Sequence, residues 1–204
     1  HCARPYTTSE FFHISGMSYG ALSQPATRAL SHGAALAGCW FNTGEGGLAP
    51  YHLEGGADLV FQIGTAKYGV RDGEGNLDEE LLRKVADHEQ VRMVEIKLAQ
   101  GAKPGKGGIL PAVKVNDEIA RIRNIPPRTD SISPNRHPDI NNIAEMLARV
   151  NHVRDVTGKP VGVKLVLGDP AWVDHLAERI REHGEERAPD FITVDGAEGG
   201  TGAA

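Results

Sequence analysis

Short apolar runs alternate with longer amphipathic stretches along this chain, and a Gly-rich or polar segment follows nearly every run. The apolar runs are Phe11–Ser15, Cys39–Phe41, Leu59–Ile63, Met93–Leu98, Val161–Leu167 and Phe191–Val194. Their length and β-branched or aromatic content predict six strands. Within Met93–Leu98, Val94 and Ile96 alternate with Glu95 and Lys97. Val161–Leu167 is apolar on both faces apart from Lys164, the pattern of a strand covered on both sides in a parallel sheet.

The stretches between the runs read as helices with recognisable ends. Ser23 is an N-cap with Pro25 in the first turn, and Gly38 is the stop. Ala26, Ala29, Leu30, Gly33, Ala34 and Ala37 would form a small-residue stripe for close packing on a sheet. Asp78–Glu89 places Leu81, Leu82 and Val85 on one face, and Asn142–Val156 does the same with Ile143, Met146, Leu147, Val150 and Val153. Trp172–His183 turns Val173, Leu176 and Ile180 inward before Gly184. Residues 99–140 form a long loop interrupted by a short helix, Asn116–Asn124, which Asn116 caps and whose Ile119 and Ile122 face inward. Loops of this length inside a compact domain are usually functional.

Strands alternating with helices predict a parallel sheet with right-handed crossovers. No G-x-G-x-x-G opens the first crossover helix, which disfavours a dinucleotide-binding doubly wound sheet. Polar and Gly-rich residues after strand upon strand fit a (β/α)8 TIM barrel, whose sites are built from many βα-loops on one face. Six strands in 204 residues leave this barrel truncated after strand six. The chain begins at His1-Cys2 and stops inside a Gly-rich segment, so it is expected to be a piece of a longer protein, forming one partial barrel domain over 1–204.

Composition narrows the function classes. Gly is 25 of 204 residues, near one in eight against a typical ~7%, and it clusters after the apolar runs. Net charge is −5 with no basic stripe, so nucleic acid is not an expected partner. No apolar run approaches the ~20 residues of a membrane span, and no signal peptide is visible. Cys2 and Cys39 lack metal-type spacing and read as reduced thiols of a cytoplasmic protein. The nine histidines show no ligand-like spacing, and no metal site is expected.

Lys164 is the sharpest single residue. A lysine in an apolar strand either pairs with an acidic neighbour or faces the barrel mouth as a cation for an anionic ligand. Lys97 occupies an equivalent place on its own strand, and Glu45 could pair with either lysine. Gln62, at the end of Leu59–Ile63, offers a donor and an acceptor and could read a ring such as a flavin, or serve only the core. The pattern therefore reaches a barrel enzyme with a cationic site, with flavin as a candidate ligand.

Six stretches make the sequence specific: SGMSYGALS, NTGEGG, IKLAQGAKPGKGG, the SISP-x-x-H-x-D-I stretch over 131–140, VKLV and DGAEGGTGA. In the same order, they resemble the FMN-binding synthase domain of glutamate synthase, and most closely the stand-alone FMN-binding proteins of that type. The resemblance implies FMN at the barrel mouth. It also implies hydride transfer to the 2-iminoglutarate formed from 2-oxoglutarate and ammonia, giving L-glutamate. Carried over by motif, Met17 and Ser18 would lie against the flavin, with Asn42, Gln62 and Lys97 around the ring. Lys164 would face its N1/O2 edge, and Glu45 would line the ammonia and substrate entrance. Glu45, Lys97 and Lys164 are thus the expected catalytic residues. Iron–sulfur ligands and the phosphate-binding loops would lie beyond residue 204, and Cys2 and Cys39 match neither those ligands nor a glutaminase nucleophile. An electron-donor subunit or ferredoxin is an implied partner. Two other readings stand: an oxidoreductase acting on another amine, of the N-methylglutamate synthase type, and a non-catalytic flavin or electron-transfer subunit.

Overall fold

A computed structural model describes residues 2–103 and 105–196. Within it the chain runs α1 (Gln24–Ala37), β1 (Phe41–Asn42), α2 (Pro50–Leu53), β2 (Leu59–Ile63), α3 (Glu79–Ala86), β3 (Val91–Lys97) and β4 (Ile109–Leu110). It continues through α4 (Asp117–Arg123), β5 (Ser131–Ile132), α5 (Ile143–Thr157), β6 (Val161–Leu165), α6 (Ala171–His183) and β7 (Ile192–Val194). Five strands form one parallel sheet in the order β1-β2-β3-β6-β7. β4 and β5 pair antiparallel as a separate hairpin.

The helix ends follow the sequence signals. Asp78 accepts from the Leu81 amide, Asn116 from Ile119 and Asn142 from Glu145, each satisfying an orphan N–H of a first turn. Gly38 and Gly158 end α1 and α5 in the left-handed conformation that glycine adopts without a Cβ penalty. The inward residues of α5, Met146, Leu147, Val150 and Val153, pack with Phe41, Leu59, Phe61, Val94, Ile96, Val161 and Val163 of the sheet. Phe61 is fully buried in this cluster. Phe61→Ala in the full-length protein is expected to cost about 3–5 kcal/mol, by lost transfer energy and the cavity left behind. Urea denaturation reads the loss, and a cost below about 1 kcal/mol would show that Phe61 is not held in a close-packed core.

The sheet is curled into a half-barrel. Asn42 on β1 and Thr193 on β7 both hydrogen-bond Glu95 on the central β3. In a flat sheet those strands lie about 10 Å to either side of β3, two strand spacings away. A threonine hydroxyl cannot span that distance, so the edges must fold up over the centre.

Four expectations are corrected. Phe11–Ser15 is not a strand: Ile14 alone makes a parallel bridge, to Phe41, while Phe11 is 94% and Phe12 54% exposed. Aromatic content made the segment strand-like, but only one residue finds ladder partners among the described residues. The buried face of α1 runs through Thr27, Ser31 and Ala34, not the Ala29–Gly33–Ala37 side. Its hydroxyls can be buried because they are bonded internally, Thr27 to the Ser23 carbonyl and Ser31 to the His52 carbonyl. Val173 is exposed on α6, whose buried contact is Leu176. The loop over 99–140 is more structured than expected. The β4–β5 hairpin and α4 enclose a second core of Tyr19, Ala49, Leu110, Val115, Ile119 and Ala120. The Gly-rich segment after β7 lies outside the described residues from residue 197 onward.

Candidate functional site

The C-terminal ends of the parallel strands open onto one cleft of about 260 Å3. Six of the seven site residues expected from sequence line it: Met17, Ser18, Glu45, Gln62, Lys97 and Lys164. Asn42 does not, because both ends of its amide are used behind the wall. Its Nδ2 donates to Glu95 Oε1 at 2.9 Å, and its Oδ1 accepts from the Gly44 amide at 2.9 Å.

Backbone touches backbone where the first two loops meet. Met17 N donates to the Asn42 carbonyl at 3.2 Å. Gly44 has φ 64°, and a Cβ there would sit 2.6 Å from Ser18 N, so the turn after β1 requires glycine. Buried His52 holds the same turn from below. Its Nδ1 accepts from Ala49 N at 3.1 Å, which leaves Nε2 protonated to donate to the Met17 carbonyl at 3.0 Å.

The two strand lysines meet different partners. Lys97 Nζ lies 3.0 Å from Glu45 Oε1 and 2.7 Å from Gln100 Oε1. Lys164 Nζ lies 3.6 Å from Asp195 Oδ2, so it lines the cleft and also has an acidic neighbour. Of the two lysines that Glu45 could have paired with, it takes Lys97.

Residues 133–140 are stapled over this arrangement. Thr65 Oγ1 donates to the Pro134 carbonyl at 2.7 Å, and Asp139 bridges Lys67 at 3.3 Å and Arg149 at 2.5 Å. His137 Nε2 reaches the Lys97 carbonyl at 3.0 Å. Burial pulls the pKa of both His137 and His52 below that of a free histidine, ~6.5. The unfolded chain therefore binds more protons in the interval beneath pH 6.5. Both histidines contribute fully above that pH, and their contribution is lost as pH falls from there towards the folded values. Stability of the full-length protein is expected to decline below pH 6.5, by at most about 1.4 kcal/mol per pH unit and per histidine. Urea midpoints at pH 7.5 and 5.5 check this. His137→Gln should reduce the slope, and an unchanged slope would remove His137 from the account.

Three residues of the site were not singled out from sequence. Glu95 is 2% exposed and accepts from Asn42, Gln62 and Thr193. Its alternation with Val94 and Ile96 marks the interior side of β3, but not which groups surround it. Thr193 lines the cleft from β7. Arg123, at the last turn of α4, is the third. Its Nη1 donates to Ser131 Oγ at 2.9 Å, and Nη2 lies 3.4 Å from the Tyr19 carbonyl. Its Cζ sits 5.1 Å from the Tyr68 ring centroid. Its buried Nε has no hydrogen-bond partner, and no carboxylate forms an ion pair with it among the described residues. Burial pulls its guanidinium below the usual arginine value. The sequence signal was a cation four residues after Ile119, on the face of α4 that turns inward.

Chemically, the cleft joins a buried guanidinium that has no ion-pair partner among the described residues, a strand lysine and a Glu–Lys pair on a glycine-lined wall. That set suits a ligand with more than one anionic or carbonyl group. No group of three or more His, Cys, Asp or Glu side chains that could hold a metal occurs among the described residues. No helix among them is long and apolar enough to cross a membrane.

A family model described as the conserved region in glutamate synthase matches residues 1–204. The chain belongs to the glutamate synthase family. It is 46% identical to the glutamate synthase large subunit-like protein YerD of Bacillus subtilis (strain 168), over 99% of this chain and 38% of that protein. It is 37% identical to an archaeal-type glutamate synthase (NADPH) of Thermotoga maritima, over 94% of this chain and 34% of that protein. An archaeal glutamate synthase (NADPH) of Archaeoglobus fulgidus is 38% identical, with the same coverage of both chains. The chain thus spans between a third and two-fifths of the length of these relatives. The loops after β1 and β3 and the stapled segment over 133–140, all within the region that matches the glutamate synthase family, meet at one mouth.

Proposed function

We propose that this chain supplies the cofactor and substrate cleft of a glutamate-synthase-type oxidoreductase that makes L-glutamate from 2-oxoglutarate and ammonia. The observation that carries the reading is Arg123, a buried guanidinium on the cleft wall without a carboxylate partner among the described residues. A buried cation with no ion-pair partner among the described residues is best satisfied by a ligand carboxylate.

The residues present fit a flavin ring. The cleft, at about 260 Å3, lies just below the ~300 Å3 at which small-molecule sites begin. Gln62 and Thr193 give it a polar edge, Lys164 a cation, and Gly16 with Met17 a close-approach face. Bound FMN would supply the hydride that reduces the imine carbon of 2-iminoglutarate. Arg123 holds a substrate carboxylate and orients the molecule. Lys164 would favour negative charge on a ring bound in the cleft. Glu45 Oε2 accepts no hydrogen bond from the described residues, so it can accept one from ammonium or take up a proton. The stapled segment over 131–140 limits water at the mouth.

The same reading extends to the whole protein. Later strands would close the half-barrel into a (β/α)8 barrel and bring the phosphate-binding loops and any iron–sulfur ligands. An electron-donor subunit or ferredoxin would reduce the flavin. Both described cysteines are free thiols, which accords with a cytoplasmic setting.

The full-length protein is expected to carry a flavin absorption band. It should also turn over 2-oxoglutarate and ammonia under reducing conditions, with methylamine a poorer substrate. A colourless protein would sink the FMN assignment. Turnover with methylamine but not ammonia would favour the N-methylglutamate reading, and bound flavin without turnover a purely electron-transferring one. Lys164→Met should weaken flavin retention about tenfold, the loss of one charge interaction of ~1.4 kcal/mol, and make the flavin harder to reduce. Unchanged retention and potential would remove Lys164 from that role.

A further inference from the structure

The hydrogen-bond directions around Glu95 decide what the strand side of the cleft can recognise. Glu95 Oε1 accepts from Asn42 Nδ2 at 2.9 Å and from Gln62 Nε2 at 2.7 Å, and Oε2 accepts from the Thr193 hydroxyl at 2.7 Å. The two oxygens of Glu95 accept all three of these hydrogen bonds, so each neighbour turns a donor towards it. That choice determines what each neighbour shows on its other side. Asn42 spends its oxygen on the Gly44 amide and does not reach the cleft. Gln62 and Thr193 do line the cleft. Gln62 keeps its carbonyl Oε1 as an acceptor beside the second hydrogen of Nε2, and the Thr193 oxygen is left with lone pairs only. Neither atom accepts a hydrogen bond from another described residue.

A glutamine amide or a threonine hydroxyl on its own can present either a donor or an acceptor. Here, turning round would place a lone pair against a buried carboxylate oxygen and leave that oxygen unsatisfied, a cost of about 1–3 kcal/mol. Lys164, the register partner of Thr193 on β6, is the complementary group, because an ammonium only donates.

We propose that Glu95 is a positioning residue that fixes the Gln62 carbonyl and the Thr193 hydroxyl oxygen as paired hydrogen-bond acceptors, so that this side of the cleft selects a ligand edge carrying an N–H or O–H donor next to an oxygen acceptor for Lys164. The inference rests on the flavin reading, in which the donor is the ring imide N3–H between two carbonyls. Glu95 touches no ligand itself. It acts by removing the alternative orientations of the two residues that do.

The test uses the full-length protein stripped of flavin, titrated with FMN and with FMN methylated at N3, which lacks the donor. Wild type is expected to prefer FMN at least tenfold, since the methyl group leaves two acceptors facing a group that cannot donate. Glu95→Gln supplies an amide that can donate as well as accept, so Gln62 and Thr193 regain the freedom to turn. The preference should then fall below about threefold, with the melting temperature and far-ultraviolet circular dichroism retained. Should Glu95→Gln fail to fold, Thr193→Val removes one acceptor while leaving Glu95 in place. A narrowed preference in that variant supports the proposal, and an unchanged one overturns it. Equal binding of the two flavins by wild type overturns the acceptor pair while leaving the flavin reading intact. Weaker binding of both flavins by Glu95→Gln at an unchanged ratio marks Glu95 as merely structural. Binding of neither flavin by wild type defeats the flavin reading and this assignment with it.

Discussion

Arg123→Met in the full-length protein is expected to raise the KM for 2-oxoglutarate about a hundredfold while leaving the KM for ammonia and the flavin content near wild type. A hydrogen bond to a charged group contributes about 1.5–3 kcal/mol, and a guanidinium can make two to one carboxylate. Losing that interaction at a buried site amounts to roughly 2.7 kcal/mol, two decades in binding. Folding should change little. Arg123 makes no ion pair among the described residues, its Nε is unsatisfied, and burial already disfavours its charge. Methionine keeps much of the aliphatic stem that packs near Tyr68, at the loss of the bonds to Ser131 and the Tyr19 carbonyl. Arg123→Lys should recover only part of the affinity, because an ammonium cannot make the planar two-point contact. Steady-state kinetics with each substrate varied in turn decide the matter. An unchanged KM for 2-oxoglutarate would place the carboxylate elsewhere and remove the main support for the substrate assignment.

Lys97→Met is expected to be costly in two separable ways. Lys97 and Glu45 are 3.0 Å apart, with side chains 11% and 18% exposed. Removing one partner of such a pair strands the other charge in a poorly solvated place. Fully buried pairs lose about 3–5 kcal/mol on such a change, and this partly solvated one should lose about 2. Glu45→Gln added to Lys97→Met should restore most of that stability, because no charge is then stranded. It should not restore activity, and kcat should stay down about a hundredfold in both variants as charged groups at the reacting centre are lost. Urea midpoints for the four members of the cycle measure the first effect, and kcat the second. If the double variant regained activity along with stability, the pair would be a structural strut with no chemical part.

Much of the fold was legible because local rules and packing agree. The caps at Asp78, Asn116 and Asn142 and the left-handed glycines at 38 and 158 act within one turn of chain, where neighbouring residues dictate the backbone. The strands at Leu59–Ile63 and Val161–Leu165 are apolar on both faces because both faces are covered. Phe11–Ser15 misled because strand propensity describes a half-buried surface, and Phe11 has no such surface to join among the described residues. The β4–β5 hairpin was missed because two-residue strands leave no period to read.

The site divides in the same way. Glu45, Gln62, Lys97 and Lys164 could be named in advance, since each lies near the end of a strand or in the loop beyond it, and parallel strands deliver their C-terminal ends to one face, whereas Met17 and Ser18 reach that face from a segment that makes only a single bridge, at Ile14. The sequence by itself determined that these residues would meet, and its motifs determined the family. Only the tertiary structure decided which of them face the cleft and in what state. Curling of the sheet brought Asn42 and Thr193, 151 positions apart, onto one buried carboxylate. That contact turned Asn42 away from the cleft and determined which atoms Gln62 and Thr193 can offer. It likewise took the folding of α4 against Tyr19 and Tyr68 to bury Arg123 without an ion pair among the described residues. Hydrogen-bond direction and charge pairing depend on which atoms lie within about 3 Å of each other. Residues far apart in the chain are brought to that distance only by packing.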